Sequence, residues 1–153
     1  MNDVDSYISG FVDGEGCFCV SFQPSSRHRL GWEVRPSFSV SQNHDRAQLL
    51  YLIQKRWECG FIRPDRSDNT LKFEVRNTRD LVEKVLPRFR EYPLMSSKQE
   101  DVEHFEEVCM LIRKGEHRTV EGLARIVEVA MRMNSSGKRK YSGSEILNSL
   151  VTR

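Results

Sequence analysis

Two periods of hydrophobic and polar residues alternate along the first half of the chain. Residues 5–16 and 45–58 carry apolar side chains at the spacing of an amphipathic helix. Residues 17–41 and 60–76 each contain two stretches in which apolar and polar residues alternate, joined by turn-forming residues. The pattern predicts helix, hairpin, helix and hairpin in that order, with one apolar face and one polar, basic face on the hairpins.

The first helix is short and amphipathic. Asp5 or Ser6 is its candidate N-cap, and Gly14 and Gly16 are expected to end it. Its apolar stripe is predicted to consist of Tyr7, Ile8, Phe11 and Val12.

From residue 78 onward the chain is predicted to be helical. Thr78 is expected to cap a short helix that Pro87 stops. Ser97 and Glu100 have the spacing of a capping box, which would open a long helix to Ile112.

These elements together predict an α+β fold. Two further helices, at about 120–133 and 144–150, flank a basic loop. We expect one domain over residues 1–153, in which an αββαββα core of about 5–113 carries a four-stranded antiparallel sheet and 114–153 adds C-terminal helices with the basic loop. Because the helices can cover only one face of this sheet, the other face must meet water or a polar partner.

The composition is that of a soluble globular protein. Of the 153 residues, 38% are hydrophobic and 30% are charged. No apolar run approaches the roughly 20 residues that span a bilayer, and acids follow Met1 where a secretory signal carries Lys or Arg. We therefore expect an intracellular protein, in a bacterial cytoplasm or inside a chloroplast or mitochondrion, with no membrane partner and no small-molecule substrate.

Charge is distributed unevenly, although the net charge is only +2. Residues 1–16 hold four acids and no base, whereas residues 17–98 hold 15 Lys or Arg against 9 acids. The four cysteines lack the paired spacing of a zinc site, and we expect them to be reduced thiols. A small acidic island before a basic body suits a metal site embedded in a DNA-binding surface.

The segment Tyr7-Ile-Ser-Gly-Phe-Val-Asp-Gly-Glu-Gly16 resembles the signature motif of the LAGLIDADG homing endonucleases, and the predicted elements behind it are similar to the core of that family. The motif occurs once. Single-motif members act as homodimers that cut both strands of a long, roughly palindromic DNA site with Mg²⁺. The resemblance implies a site-specific endodeoxyribonuclease of intron or intein mobility, with double-stranded DNA and a second copy of the chain as partners.

The resemblance also implies catalytic roles. Glu15, the last acid of the motif, corresponds to the family's metal ligand, and the carbonyl oxygen of Gly14 can contribute. Mg²⁺ prefers such hard oxygen ligands, and Mn²⁺ or Ca²⁺ can occupy the same position. Gln42 and Arg46 correspond to polar residues that hold active-site waters, and Lys98 to a basic residue near the scissile phosphate. Glu15, Gln42, Arg46 and Lys98 are thus the predicted catalytic side chains.

Small residues on the first helix predict a contact between two chains. Ser6, Gly10 and Gly14 share one face, and a stripe of small residues lets a second backbone approach closely. In a homodimer this contact would bring two copies of Glu15 together. Asp13, the first acid of the motif, is expected to have a structural role.

Polar residues on the outward face of the sheet are candidate DNA readers, because the major groove admits a β-ribbon. By alternation they are Ser21, Gln23, Ser25, Arg27, Arg29, Arg35, Ser37, Ser39, Arg63, Asp65, Lys72, Glu74 and Arg76. Residues of the basic loop are assigned to phosphates, which set the register of the protein on DNA without reading sequence. They are Asn134, Ser136, Lys138, Arg139 and Lys140.

Two other interpretations remain open. In the first, the same fold serves an RNA-splicing maturase or a catalytically inactive DNA-binding protein, although intact Glu15, Gln42 and Lys98 favour an active enzyme. In the second, the polar face of the sheet binds another protein. The many arginines of that face and its lack of exposed aromatic residues argue against the second.

Overall fold

The computed structural model describes residues 3–65, 69–134 and 139–151. Ser136 and Lys138 of the predicted phosphate-binding set lie outside these ranges. The elements in chain order are α1 (Val4–Glu15), β1 (Gly16–Pro24), β2 (Trp32–Asn43), a single 3-10 turn (His44–Arg46), α2 (Gln48–Trp57), β3 (Phe61–Asp65), β4 (Thr70–Val75), α3 (Thr78–Asp80), a π-helical turn (Leu81–Val85), α4 (Leu86–Glu91), α5 (Lys98–Arg113), a second 3-10 turn (Glu116–Arg118), α6 (Val120–Ala130) and α7 (Gly143–Val151).

The four strands form one antiparallel sheet in the order β1-β2-β4-β3. The predicted α+β fold with a four-stranded antiparallel sheet is thereby confirmed. Alternate residues of β1, β2 and β4 are buried on the face that the helices cover, and we call the opposite, polar face the open face. The core is aromatic at its centre, where side chains of the sheet meet those of the helices: Phe18, Phe38, Phe73, Trp57, Phe89 and Phe105.

Helix α1 is rotated relative to its predicted apolar stripe. Ile8 and Val12 are buried as expected, but Tyr7 is 67% exposed. Ser9 is buried instead, and its hydroxyl donates to the carbonyl oxygen of Tyr92 at 2.6 Å. This hydrogen bond satisfies a polar group that would otherwise be costly to bury. The predicted N-caps were also wrong, because the carboxylate of Asp3 accepts from the backbone N–H of Ser6.

Pro87 does not stop the helix that precedes it. Instead, the helical backbone continues into α4 through the π-helical turn, in which the N–H of Leu86 donates to the carbonyl oxygen of Leu81. Pro87 therefore stands in the first turn of α4, where a residue without an N–H group is tolerated. The wider turn absorbs the mismatch that proline causes in a regular α-helix.

The predicted capping box at the start of α5 is absent. Ser97 makes no capping hydrogen bond with its side chain. The hydroxyl of Ser96 instead accepts from the backbone N–H of Lys98 at 3.1 Å. The same Ser96 hydroxyl donates a hydrogen bond to the carboxylate of Asp13 in α1.

The C-terminal segment contacts the outer edge of β1, which, among the residues that the structure describes, has a strand neighbour only on its β2 side. The side-chain amide of Asn134 donates to the carbonyl oxygen of Phe18 at 2.7 Å. The guanidinium of Arg139 donates to the carbonyl oxygens of Val20 at 2.7 Å and Ala130 at 2.6 Å. Within the residues described, no helix is both long and apolar enough to cross a membrane.

Candidate active site

Helix α1 ends where the sheet begins, and this junction carries the acid of the sequence motif. Glu15 is the last residue of α1 and is exposed. Its carboxylate makes no hydrogen bond or ion pair with any residue that the structure describes. At Gly16 a Cβ would lie 2.6 Å from Cγ1 of Val12 and 2.8 Å from its carbonyl oxygen, so the passage from helix to strand requires glycine there.

Lys98 binds the same junction from the other half of the chain. Its ammonium group donates to the carbonyl oxygens of Val12 at 3.1 Å and Gly16 at 2.7 Å. These carbonyls flank Glu15 along the chain. An ammonium group has three N–H donors, so these two bonds leave one for a further acceptor. The structure thus places a cation on the backbone that flanks the candidate metal ligand.

Asp13 ties α1 to the segment that carries Lys98. Its carboxylate accepts from the backbone N–H groups of Met95 and Ser96, each at 3.0 Å, and from the Ser96 hydroxyl. The Ser96 hydroxyl, followed by the two N–H groups and the charge of Lys98, lowers the pKa of Asp13 below its ordinary value. Asp13 therefore fixes the start of α5, which is the structural role expected of it.

The two remaining predicted catalytic residues lie at the end of β2. Gly16 pairs with Val40, so Gln42 lies two residues beyond the start of the β1–β2 ladder, on the side from which α1 enters. Gln42 is partly buried, and its side-chain oxygen accepts from the N–H of Asn43 at 2.9 Å. Arg46 is exposed in the 3-10 turn, and the described residues show no contact between it and Glu15.

The oxygen atoms at the α1–β1 junction suit Mg²⁺. Among residues 3–65, 69–134 and 139–151, no three His, Cys, Asp or Glu side chains come together as a metal cage. The junction offers the Glu15 carboxylate and the carbonyl oxygen of Gly14, which lies at the end of α1, where the last carbonyls of a helix have no partner within the helix. Mg²⁺ usually takes one or two carboxylates and keeps water or phosphate oxygens in its other positions. Glu15 and the Gly14 carbonyl therefore fit this ion as a partial ligand set.

The open face brings most of the predicted DNA readers together, and several form ion pairs. Arg35 pairs with Glu33 at 2.9 Å and Lys72 with Asp65 at 3.9 Å. A groove of about 620 Å³ opens on this face. Its lining includes Ser21, Arg35, Ser37, Glu74 and Arg76.

Two residues of the open face differ from expectation. Glu74 is only 6% exposed, although strand alternation predicted an outward reader. Phe61 shares this face because it pairs with Glu74, and it is 39% exposed, which corrects the expectation that the face lacks exposed aromatic residues. Phe61 lies two positions before Arg63, so continuing the outward alternation of Asp65 and Arg63 back along β3 would have found it.

The other predicted DNA contacts lie at the margins of the sheet. Arg29 of the β1–β2 loop donates to the carbonyl oxygen of Arg118 at 2.6 Å, while Arg27 is exposed. Ser25 of that loop is partly buried beside His28, with 2.9 Å between the hydroxyl oxygen and Nδ1. Gln23, Ser39 and Lys140 are at least partly exposed, and Asn134 and Arg139 bind the edge of β1 as described above.

The outer face of α1 is exposed and contains the small residues. Ser6, Gly10 and Gly14 are all exposed, and a Cβ built on either glycine meets nothing within 4 Å. Tyr7 lies in the same helix, and Met95, which Asp13 holds beside α1, is 98% exposed. The single chain therefore does not require glycine at these positions.

The matching family model is that of the LAGLIDADG endonucleases, and it matches residues 8–109. The chain belongs to this family. Among curated proteins, a probable intron-encoded endonuclease 2 of Neurospora crassa is 32% identical over 130 residues, which are 84% of this chain. The chain spans only 29% of the length of that relative.

Two solved structures resemble the whole chain. The homing endonuclease I-TnaI has a TM-score of 0.85 and 32% identity, with 99% of each chain covered. The archaeal intron-encoded homing endonuclease I-Vdi141I, solved in complex with DNA, has a TM-score of 0.89 and 28% identity, with 97% of this chain and 94% of that chain covered.

Proposed function

We propose that the chain is a homing endonuclease that binds a long, roughly palindromic double-stranded DNA site as a homodimer and hydrolyses one phosphodiester on each strand with a divalent metal ion. The observation that carries this proposal is the convergence of Glu15 and Lys98 at the α1–β1 junction. The DNA complex of the similar I-Vdi141I supports DNA as the substrate.

The residues of the junction have separable chemical tasks. Glu15 and the Gly14 carbonyl would hold Mg²⁺, which polarises a phosphate, lowers the pKa of an attacking water and stabilises the leaving oxygen. The remaining N–H donor of Lys98 stabilises negative charge that develops on the phosphate. The side-chain amide of Gln42 can orient water without titrating, because a carboxamide is not ionisable near neutral pH. Its oxygen accepts from the N–H of Asn43, and its NH2 group remains a donor. Arg46 is proposed to assist from the adjacent turn.

The outer face of α1 supports the proposed dimer. Gly10 and Gly14 leave space that the single chain does not use. A second α1 packed there would bring the two copies of Glu15 near one another, each opposite one DNA strand. The exposed side chains of Tyr7 and Met95 supply apolar area at the rim of this contact.

The open face supplies the DNA contact. Two copies of the sheet, related by the α1 contact, would place their polar faces in the major groove on either side of the cut. Contacts of Arg and Lys with phosphates would make the affinity fall steeply with salt. Arg139 and Asn134 have donors engaged at the edge of β1, so their proposed phosphate contacts would use the donors that remain.

A cleavage selection tests the proposal. The protein is incubated with a library of partly palindromic, randomised duplexes in Mg²⁺ or in EDTA, and the cut ends are sequenced. We expect cuts in Mg²⁺ at a two-fold-related consensus, and none with Glu15→Gln, which should still bind duplex.

Glu128→Gln is the matched control, because it removes an exposed acid from α6, away from the junction. It should cut as the unaltered protein does. Cutting by Glu15→Gln would refute the assignment of Glu15 as the metal ligand. A consensus without two-fold symmetry would refute the proposed homodimer. Duplex binding without cutting by the unaltered protein would favour an inactive DNA-binding protein.

A further inference from the structure

A carboxylate lies almost buried in the middle of an otherwise polar and exposed surface. Glu74 is 6% exposed, and across the sheet it lies between Ser39 of β2 and Phe61 of β3. Its Oε1 accepts from Nε of Arg63 at 3.2 Å and pairs with a terminal nitrogen of Arg76 at 3.0 Å. One oxygen atom thus holds two guanidinium groups.

This arrangement gives Glu74 a different task from that of a reader. A buried carboxylate is tolerated only where opposite charges and hydrogen bonds replace its water, and the two arginines provide both. Their side chains remain 40% and 61% exposed above it, so the arginines, and not Glu74, are accessible to a docked molecule. Glu74 itself is too covered to reach a base edge.

Arg63 is held in a way that leaves its terminal nitrogens available, whereas Arg76 gives one terminal nitrogen to Glu74 and keeps its other N–H donors. Arg63 uses Nε towards Glu74, and its two terminal nitrogens make no hydrogen bond among the residues that the structure describes. These nitrogens form the fork that binds O6 and N7 of guanine in the major groove. Arg76 is held on a second side, because its guanidinium carbon lies 5.5 Å from the centre of the Phe61 ring.

We propose that Glu74, with Phe61, is a positioning residue that presents Arg63 and Arg76 as one reading unit for guanine-bearing base pairs. This inference rests on the proposed function, since it specifies how the open face reads DNA. Holding both side chains before DNA arrives reduces the entropy lost on binding and fixes the direction of each guanidinium group. The negative charge also lowers the attraction of this patch for any phosphate, so it favours base reading over indiscriminate binding.

The test uses binding selections from a randomised duplex library without Mg²⁺. Selections with Arg63→Ala and with Arg76→Ala identify the positions at which each arginine sets a preference for guanine. We expect Glu74→Gln to lose that preference about tenfold at both positions, within the range that one bidentate contact contributes. Its affinity for a duplex of arbitrary sequence should stay equal or rise, and the salt dependence should steepen by up to about one unit of slope.

Glu33→Gln is the matched control, because it removes the same charge from the same face beside Arg35. It should raise the affinity for arbitrary duplex in a similar way and keep the guanine preference at the Arg63 and Arg76 positions. A merely structural role for Glu74 would instead lower Tm and weaken binding to all sequences equally.

A second variant tests the unit without altering Glu74. Arg63→Lys keeps a positive charge beside the carboxylate but lacks the forked nitrogens, so guanine preference should weaken at the Arg63 position and persist unchanged at the Arg76 position. Unchanged preference in Glu74→Gln or in Arg63→Lys overturns the inference while DNA binding stands. Failure of the unaltered protein to retain any duplex contradicts the proposed function itself, and the inference with it.

Discussion

Replacing Gly10 by alanine separates the stability of one chain from the association of two. In the single chain, a Cβ on Gly10 meets no atom within 4 Å, and the residue lies inside α1. Alanine in a helix interior is more favourable than glycine by about 0.8–1.0 kcal/mol. We therefore expect Gly10→Ala to raise the Tm of the monomer by about 2–4 °C.

In the proposed dimer the same substitution acts in the opposite direction. Two methyl groups, one from each chain, would enter the contact between the two α1 helices. Overpacking costs about 1–3 kcal/mol at each close-packed site, so the pair costs about 2–6 kcal/mol. The dissociation constant of the dimer should rise by about 30-fold or more. Cleavage of a two-fold symmetric duplex should fall at the same protein concentrations, because each strand needs its own Glu15.

Sedimentation velocity over a concentration series measures the dissociation constant of the dimer. Thermal unfolding at concentrations below that dissociation constant measures the Tm of the monomer. Asn148→Ala is the control, because it raises helix propensity at an exposed position of α7 and should leave the dimer unchanged. A Gly10→Ala protein that is stabilised but dimerises normally would refute the α1 contact. A destabilised monomer would show that a side chain at position 10 clashes within the single chain, contrary to the open space found there.

Two other predictions concern the α1–β1 junction. Lys98→Met should lower the single-turnover cleavage rate by about 100- to 1000-fold, because it removes a positive charge that stabilises the transition state. Retention of the duplex on a filter should be nearly unchanged. An unaltered cleavage rate would contradict the catalytic role of Lys98. Because the pKa of Asp13 is lowered in the folded protein, the native state binds fewer protons than the unfolded state in acid. The contribution of Asp13 to stability is therefore present above about pH 4 and is lost as the pH falls through the lowered pKa. The Tm of the unaltered protein should exceed that of Asp13→Asn by about 3 °C at pH 7, as measured by calorimetry. This difference in Tm should shrink below about pH 4. A difference that widens in acid would contradict the lowered pKa of Asp13.

The faces of the sheet were predictable because strand alternation has a period of two residues and each strand buries one face. Val40 and Phe73 are buried as the pattern requires, and Ser37 and Arg63 lie opposite. Alternation indicates only direction, however. It could not show that Glu74 would be covered, because that depends on where two arginine side chains come to rest.

The junction itself was predictable from family resemblance and not from local pattern. Lys98 reaches Gly16 from 82 residues away, and such contacts are set by tertiary packing. Two local predictions failed: Ser97 has a helical backbone and makes no side-chain cap, while the Ser96 hydroxyl binds Asp13, and the π-helical turn admits Pro87. Residue preferences indicate the free-energy cost of a local conformation. Contacts with residues distant in the sequence decide whether that cost is offset.

The C-terminal side chains on β1 bear on how copies of this molecule meet one another. A bare strand edge is a template on which a strand of another chain can add, which leads to runaway stacking. Asn134 and Arg139 occupy the carbonyl oxygens of Phe18 and Val20, so an incoming strand would find these acceptors already taken. Self-association through the β1 edge is thereby discouraged, while the exposed glycines of α1 stay accessible. Loss of the Asn134 and Arg139 side chains would leave these carbonyl oxygens open to an added strand.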